Sequence, residues 1–307
     1  KGPFKNGIFD SIAVNGKDIT LTIDSKLQQY GEYLMKGKRG GIIALEPSSG
    51  EILALVTSPS YDPNMMVGRL RSPNSVKLIG DSINKPMYDR GLKGTYPPGS
   101  PFKLVNALIG LQEDVIDENT HFFCNGGYRY GNRKKEFMKC HCDIYGKPIQ
   151  LNSAISKSCN SYFANTYKRI IEKNKNSTNG MNNWSTHVKS FGLGNYLGYD
   201  LPEGDKGLIP NGDYYNRMYK HRWNASTNIS NAIGQGEVLT TPIQLANVTA
   251  AIANRGFFYT PHVVKKINNQ AIIDPSYTTP KHTTIDKKHF EPIIEGMHEV
   301  FKTGTAS

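Results

Sequence analysis

Polar and apolar residues alternate from Asp18 to Ile23 (Asp-Ile-Thr-Leu-Thr-Ile), the period of a strand. Asp24 then stands as the N-cap of a helix that carries Leu27, Tyr30 and Leu34 on one face. Two apolar runs between Gly41 and Thr57 flank a Pro-Ser-Ser-Gly turn, the pattern of an antiparallel hairpin at least partly buried under helices. From Tyr61 to Gly99 the chain is rich in Pro, Gly, Asn and Asp and reads mainly as loop. Leu104 to Leu111 continues a helix that begins near Ser100. Leu151 to Ile171 reads as one long helix, and Trp184 to Phe191 as a short one closed by Gly192. A Gly-, Asn- and Tyr-rich stretch runs to about Ser230. Thr241-Pro242 opens another helix, with Gly256 just past its end. Tyr259 to Ile267 reads as a strand, and a helix from His289 to Val300 places Phe290, Ile293, Ile294, Met297 and Val300 on one face. There is no internal repeat and no heptad pattern.

Strands, then many helices, then strands predict an α+β domain over residues 1–307. Its sheet lobe would come from about 1–60 and 257–307, with a helical lobe, about 61–256, inserted between them.

Composition narrows the class. At 37% hydrophobic and 21% charged residues the chain is globular, neither disordered nor fibrous. Its longest central apolar run, Leu104 to Leu111, contains Asn106 and falls far short of the roughly 18 residues a membrane span needs. The opening Lys-Gly-Pro-Phe-Lys-Asn lacks the apolar core of a signal peptide, so an anchor or export signal is expected outside this sequence. A net charge of +11 favours anionic partners in general. The lysines are scattered, however, and no nucleic-acid-binding motif stands out; nucleic acid is set aside and most of the charge read as solvated surface.

Three short motifs carry the candidate chemistry. Ser-x-x-Lys occurs twice, as Ser82-Ile-Asn-Lys85 and Ser100-Pro-Phe-Lys103. Lys85 precedes Pro86, which disfavours a helical lysine. Ser100 follows Tyr-Pro-Pro-Gly and precedes an apolar helical run, so residues i and i+3 would share a face there, beside exposed backbone N–H groups fit for an oxyanion. Ser-x-Asn occurs at Ser72, Ser82, Ser158, Ser177 and Ser226, but only Ser158-Cys159-Asn160 falls in a long helix after the preferred serine. Lys302-Thr303-Gly304-Thr305 is the sole Lys-Thr-Gly and reads as a strand, with Gly304 admitting a close backbone. Ser-x-x-Lys, Ser-x-Asn and Lys-Thr-Gly in this order are the signature of serine acylating enzymes. Four cysteines, Cys124, Cys140, Cys142 and Cys159, lie within 36 positions and suggest a shared disulfide or metal site.

With Val14–Gln28, Pro59-Ser-Tyr-Asp-Pro-Asn64, Tyr96–Lys103 and Ile233–Gln244, these motifs make nearly the whole chain resemble the class B penicillin-binding proteins. The Tyr-Pro-Pro-Gly lead-in and the Cys124-Asn-Gly-Gly-Tyr region are most similar to the elongation-specific branch, which acts in rod-shape maintenance. The resemblance implies the penicillin-binding/serine β-lactamase-like transpeptidase fold and a D,D-transpeptidase that cross-links peptidoglycan stem peptides ending in D-Ala–D-Ala. Ser100 would be the nucleophile and Lys103 its base, neutralised by burial and by the nearby charge of Lys302. Ser158 would relay the proton, and Asn160 would orient the substrate amide and Lys103. Lys302, Thr303 and Thr305 would bind the terminal carboxylate on a strand whose edge, at Gly304, pairs with the substrate. The amides of Ser100 and Thr305 would form the oxyanion hole.

The same resemblance implies β-lactams as inhibitors, and a SEDS-type glycosyltransferase and the rod-shape scaffold protein as partners. It places the protein on the periplasmic face of the bacterial inner membrane, held by an N-terminal helix, and requires no cofactor for catalysis. Zinc held by Cys124, Cys140, Cys142 and Cys159 is implied by some relatives, with Cys142 or His141 replacing a family histidine near Gly146-Lys147-Pro148. A disulfide from Cys124 to Cys140 or Cys142 is the alternative. A serine β-lactamase shares the motifs, but no Glu-x-x-Leu-Asn follows Ser158; a β-lactam sensor is the non-enzymatic reading. The sequence departs from the family where Val300 and Phe301 run directly into Lys302. Intervening residues are therefore expected there, as are a pedestal before the chain and further strands and a helix after Ser307.

Overall fold

The computed structural model describes residues 14–173, 176–271 and 274–307. The opening Lys1–Asn6, read above for a signal peptide, lies outside them. Strand β1 (Ile19–Leu21) leads to α1 (Ser25–Met35), whose first amides, Lys26 and Leu27, donate to the Asp24 carboxylate as the N-cap reading requires. The expected apolar face of α1 is not a buried one: Leu27, Tyr30 and Leu34 are exposed, and Gly31 is the buried position. The helix is held instead by the Gln28 side chain, which bonds both backbone groups of Leu55 at 2.8 and 3.0 Å.

Strands β2 (Gly40–Leu45) and β3 (Ile52–Ser58) form the expected antiparallel hairpin, from Gly40↔Ser58 to Leu45↔Ile52. Ile52, Ala54 and Val56 alternate inward, as a strand with one buried face does. Strand β4 (Val264–Ile267) pairs antiparallel with β1 through Ile19↔Ile267 and Leu21↔Val264, so the early and late parts of the chain meet in one sheet. A bridge between Glu51 and His262 ties the hairpin to it. The expected strand from Tyr259 is shortened because Asp200 intervenes: its carboxylate accepts the Val263 and Val264 amides at 2.9 and 2.8 Å, in place of a neighbouring strand. The 61–99 stretch is more ordered than its composition suggests, and includes α2 (Arg71–Gly80). Pro73 sits in its first turn, where the missing N–H has no intrahelical acceptor to lose.

The core lies among α3 (Phe102–Gln112), α5 (Asn160–Glu172) and α6 (Ser177–Ser190), around fully buried Phe102, Tyr162, Phe163, Tyr167 and Trp184. Asn106 is buried in this core because it is saturated: it donates to Asn231 and Ala232 carbonyls and accepts from the Trp184 indole. Helix α6 starts at Ser177, capped by Asn176, earlier than its polar first half suggests. Gly180 permits that close crossing, since a Cβ there would stand 2.0 Å from the Ile171 carbonyl oxygen. Helix α7 (Pro242–Ala253) has the full capping box of Thr241 and Gln244. No helix among the described residues is long and apolar enough to cross a membrane.

Two expectations are corrected here. The long helix from Leu151 is two helices, α4 (Leu151–Ser156) and α5, broken at Ser158, whose φ is 51°. Ser158 and Cys159 amides donate to Ile155 and Ala154 carbonyls, the paired bonds of a Schellman C-cap with serine at the left-handed position usually given to glycine. The Lys-Thr-Gly segment is not a strand. Helix α8 (Phe290–Lys302) runs unbroken through Val300 and Phe301 and ends on Lys302. Phe290, Ile293 and Gly296 bury its apolar face, Gly296 against Ile155. With no residues between that anchored helix and Lys302, the chain has no length in which to turn toward the sheet. Thr305 instead donates its amide to the Ser156 carbonyl at 3.1 Å, a group α4 leaves without a helical partner.

Candidate active site

Ser100 is placed by a zipper between two loops. Tyr96 and Thr240 exchange backbone bonds at 2.9 Å, and the Gly99 amide donates to the Gly234 carbonyl at 2.9 Å. Gly234 has φ +66°, and a Cβ there would lie 2.4 Å from the Gly99 oxygen, so no side chain fits beneath the serine. Helix α3 starts two residues later, and the Lys103 amide closes its first turn on the Ser100 carbonyl at 3.0 Å. Ser100 is exposed while Lys103 is only 3% exposed, so the same turn presents a hydroxyl to solvent and withdraws an amine from it. The competing Ser82–Lys85 pair lies after α2, with Lys85 at φ 46°, and has no helical i, i+3 geometry.

The break at Ser158 brings the second motif to the first. Lys103 Nζ donates to Ser158 Oγ at 2.9 Å, to the Ser158 carbonyl at 2.8 Å and to Asn160 Oδ1 at 2.6 Å. Ser158 Oγ donates in turn to Ser100 Oγ at 3.0 Å. The amine therefore communicates with the exposed hydroxyl through Ser158. Asn160 is held from its other side, where Nδ2 donates to the Lys139 carbonyl at 2.8 Å. Burial pushes the Lys103 ammonium down to about 8, with the sulfurs of Cys140, Cys159 and Cys142 pulling the other way.

The third motif reaches the site only in part. A cleft of about 310 Å³ is lined by Ser100, Lys103, Ser158 and Thr305, with Phe163, Met297, Val300 and Phe301 among its apolar walls. Lys302 is instead an exposed residue pairing with Glu299 at 3.3 Å, so burial, not its charge, lowers Lys103. Thr303 Oγ1 also turns to Glu299, and the Thr305 amide expected in an oxyanion hole is engaged by Ser156. Neither Lys139 nor the apolar wall from α8 was legible as part of the site: the first contributes a backbone atom, and the second belongs to a helix face that reads simply as core.

The four cysteines converge beside this cleft. Their sulfurs all lie within 4.8 Å of one another, with Cys140–Cys142 at 3.2 Å, Cys142–Cys124 at 3.4 Å and Cys140–Cys159 at 3.8 Å. All four are free thiols. Exposed His141 is not in the group, and Cys142 completes it. Backbone amides point at the sulfurs: Asn160 N–H at Cys140 Sγ, 3.2 Å, and Tyr162 N–H at Cys159 Sγ, 3.5 Å, where Cys159 also caps α5. Hydrogen bonding with Cys159 pulls the Cys140 thiol below its ordinary range, against its burial.

Residues 40–307 match the family model described as the penicillin binding protein transpeptidase domain. The chain is 36% identical over 250 residues to the peptidoglycan D,D-transpeptidase MrdA of Acinetobacter baumannii, covering 81% of this chain and 36% of that protein. It thus spans little more than a third of the length of that curated relative. Among solved structures it is similar to penicillin-binding protein 2 of Pseudomonas aeruginosa in complex with WCK 5153, with TM-score 0.83 and 34% identity over 95% of this chain and 64% of that one. It is also similar to penicillin-binding protein 2 of Helicobacter pylori in its complex with MreC, with TM-score 0.78 and 27% identity over 93% of this chain and 50% of that one.

Proposed function

The chain belongs to the penicillin-binding protein transpeptidase domain family, and from that membership we propose that it is the acylating domain of a peptidoglycan D,D-transpeptidase of cell elongation. The observation that carries this reading is the hydrogen-bonded series Ser100–Ser158–Lys103, which leads from an exposed hydroxyl to a buried amine of lowered basicity. Ser100 Oγ attacks the carbonyl carbon of the penultimate D-alanine. Its proton passes through Ser158 to neutral Lys103, which requires Ser100 to turn from acceptor to donor toward Ser158 and Ser158 to donate to Lys103 instead of to Ser100. The same path returns the proton to the leaving nitrogen as the C–N bond breaks and D-alanine departs. An amine of a second stem peptide then attacks the ester carbonyl, forms the cross-link and restores Ser100. Asn160 orients Lys103 and the donor amide.

For Lys302 and Thr303 to read the donor's terminal carboxylate, the last turn of α8 must release them from Glu299; Thr305 already faces the cleft. Mass spectrometry tests the chemistry. Benzylpenicillin is expected to add its whole mass to the peptide containing Ser100 and to remain there for many minutes. Rapid loss of the adduct by hydrolysis would mark a β-lactamase, and label on Ser82 would refute the site. By the same membership the domain works at the periplasmic face of the inner membrane. Its partners are a SEDS-type glycosyltransferase and the rod-shape scaffold protein; the MreC complex of the Helicobacter relative supports the second.

The acyl-serine chemistry needs no cofactor. The sulfur cluster nevertheless fits a structural zinc: at the usual Zn–S length of about 2.3 Å a tetrahedral ion holds its sulfurs about 3.8 Å apart, within the 3.2 to 4.8 Å present here. Cys124, Cys140, Cys142 and Cys159 would hold it. A closed four-thiolate site supplies folding energy rather than catalysis, here by pinning the Ser158–Asn160 turn to the preceding loop. Protein purified without chelator is expected to carry one zinc per chain and to lose thermal stability when it is stripped. Metal-free protein two hydrogens light would leave a disulfide as the explanation.

A further inference from the structure

The reacting groups stand at the N-terminal ends of two helices, and the bonds that register those helices lie farther along them. Ser100 and Lys103 are at the start of α3, and Ser158 just precedes α5. The 3₁₀ turn Ile229–Ile233 is bonded to both helices. On α3 the anchor is Asn106, about one turn beyond Lys103. Each of its two Nδ2 protons is donated to the turn, at the Asn231 carbonyl (3.1 Å) and the Ala232 carbonyl (3.0 Å). On α5 the anchor is Tyr167, about two turns beyond Asn160. Its hydroxyl accepts from Asn231 Nδ2 at 3.2 Å and donates to Asn228 Oδ1 at 3.1 Å. Asn231 therefore meets α3 through its backbone and α5 through its side chain. Its other Nδ2 proton goes to Tyr215 at 2.8 Å, and Tyr215 donates to Glu237 at 2.7 Å, which fixes the rotation of the amide.

Asn106, Asn231, Tyr167 and Tyr215 are all fully buried. A polar group left unpaired there would bear its full desolvation cost, so these bonds have no substitute in water. The same turn also closes on the nucleophile. The Gly234 amide donates to the Asn231 carbonyl at 3.2 Å, and the Gly234 carbonyl accepts the amide of Gly99, the residue before Ser100. The segment from Gly99 to Asn106 is thus tied at both ends to residues 231–234. We propose that Asn106, Asn231 and Tyr167 are positioning residues for acyl transfer. They hold α3 and α5 to one turn and so set the 3.0 Å separation of Ser100 Oγ and Ser158 Oγ, across which the proton passes. The proposal rests on the transpeptidase reading and adds to it residues that lie outside its three motifs.

The test separates binding from chemistry, using the full-length protein and a chromogenic β-lactam whose ring opening is read by stopped flow. Varying its concentration gives the dissociation constant of the non-covalent complex and the first-order acylation rate constant. Asn106→Leu keeps the size of the side chain and removes both donors, whereas Tyr167→Phe removes a single hydroxyl. A misplacement of about 1 Å costs on the order of 10²-fold in rate. Asn106→Leu is therefore expected to lower the rate constant by roughly 10- to 100-fold, and Tyr167→Phe by roughly three- to tenfold. The dissociation constant should stay within about twofold, since the loss falls on the chemical step. The ascending limb of the pH profile should keep its place, with a lower plateau, because Lys103 stays buried. Val188→Ala is the control for stability. Val188 is fully buried on α6 and cannot hydrogen-bond to the turn. Its truncation should lower the melting temperature and leave the rate constant unchanged. An unchanged rate constant in either folded variant overturns the proposal, and Tyr167→Phe decides alone if Asn106→Leu does not fold. An equal loss in Val188→Ala at matched folded fraction also overturns it. An unaltered protein that forms no acyl adduct overturns the transpeptidase reading, and this proposal with it.

Discussion

Ser100→Ala is expected to abolish covalent labelling by penicillin and to lower cross-linking by about 10⁴- to 10⁶-fold, the range seen when a serine nucleophile is removed. The fold should be indifferent to it. Ser100 is exposed, and its hydroxyl accepts one bond, from Ser158, that water can replace. Surface changes of this kind stay within about 0.5 kcal/mol, so the melting temperature should move little. The comparison that matters is therefore labelling at equal folded fraction. An alanine variant that is still labelled at the unaltered rate would remove Ser100 from the chemistry, whatever its position in the cleft.

Lys103 is expected to govern the pH dependence of acylation. A free lysine, with a pKa near 10.4, is neutral in only about one molecule in 2,500 at pH 7. Burial brings Lys103 down to about 8, which raises the neutral fraction more than a hundredfold. The neutral form is the base and gains population as pH rises, so kcat/KM should climb close to tenfold per pH unit below 8 and level above it. All three donors of the ammonium are occupied, by two atoms of Ser158 and one of Asn160. Loss of one proton frees the lone pair that Ser158 must address. Lys103→Gln should lower acylation by about 10² to 10⁴, the usual contribution of general acid–base catalysis, and erase the ascending limb. Stopped-flow acylation between pH 6 and 9.5 reads both effects. A profile already flat across that range in the unaltered protein would show that the amine is not the base.

Much of the local structure follows from near neighbours along the chain. Asp24, Thr241 with Gln244, and the Pro-Ser-Ser-Gly turn announce where elements start and stop because caps and turns are made within a few residues. Local setting, not motif order, favoured Ser100 over Ser82, since only Ser100 precedes a helical apolar run and Lys85 is followed by Pro86. Other features depended on partners distant in sequence. Asp200 replaces a strand over Val263 and Val264, and α1 turns its apolar residues outward because Gln28 is tied to Leu55. The Lys302 segment stays on a helix anchored by Phe290 and Ile293, although threonines beside a glycine suit a strand.

At the candidate site the division is the same. Residue types, motif order and local setting singled out Ser100, Lys103, Ser158 and Asn160 as candidates from the sequence alone. That Ser158 leaves the helix at φ 51°, stands between serine and amine, and lies beside four converging sulfurs was decided by tertiary structure. The bonds that hold this arrangement join residues 55 to 58 positions apart. Such contacts, and the burial that lowers Lys103, exist only once the intervening chain has packed, and no local pattern encodes them.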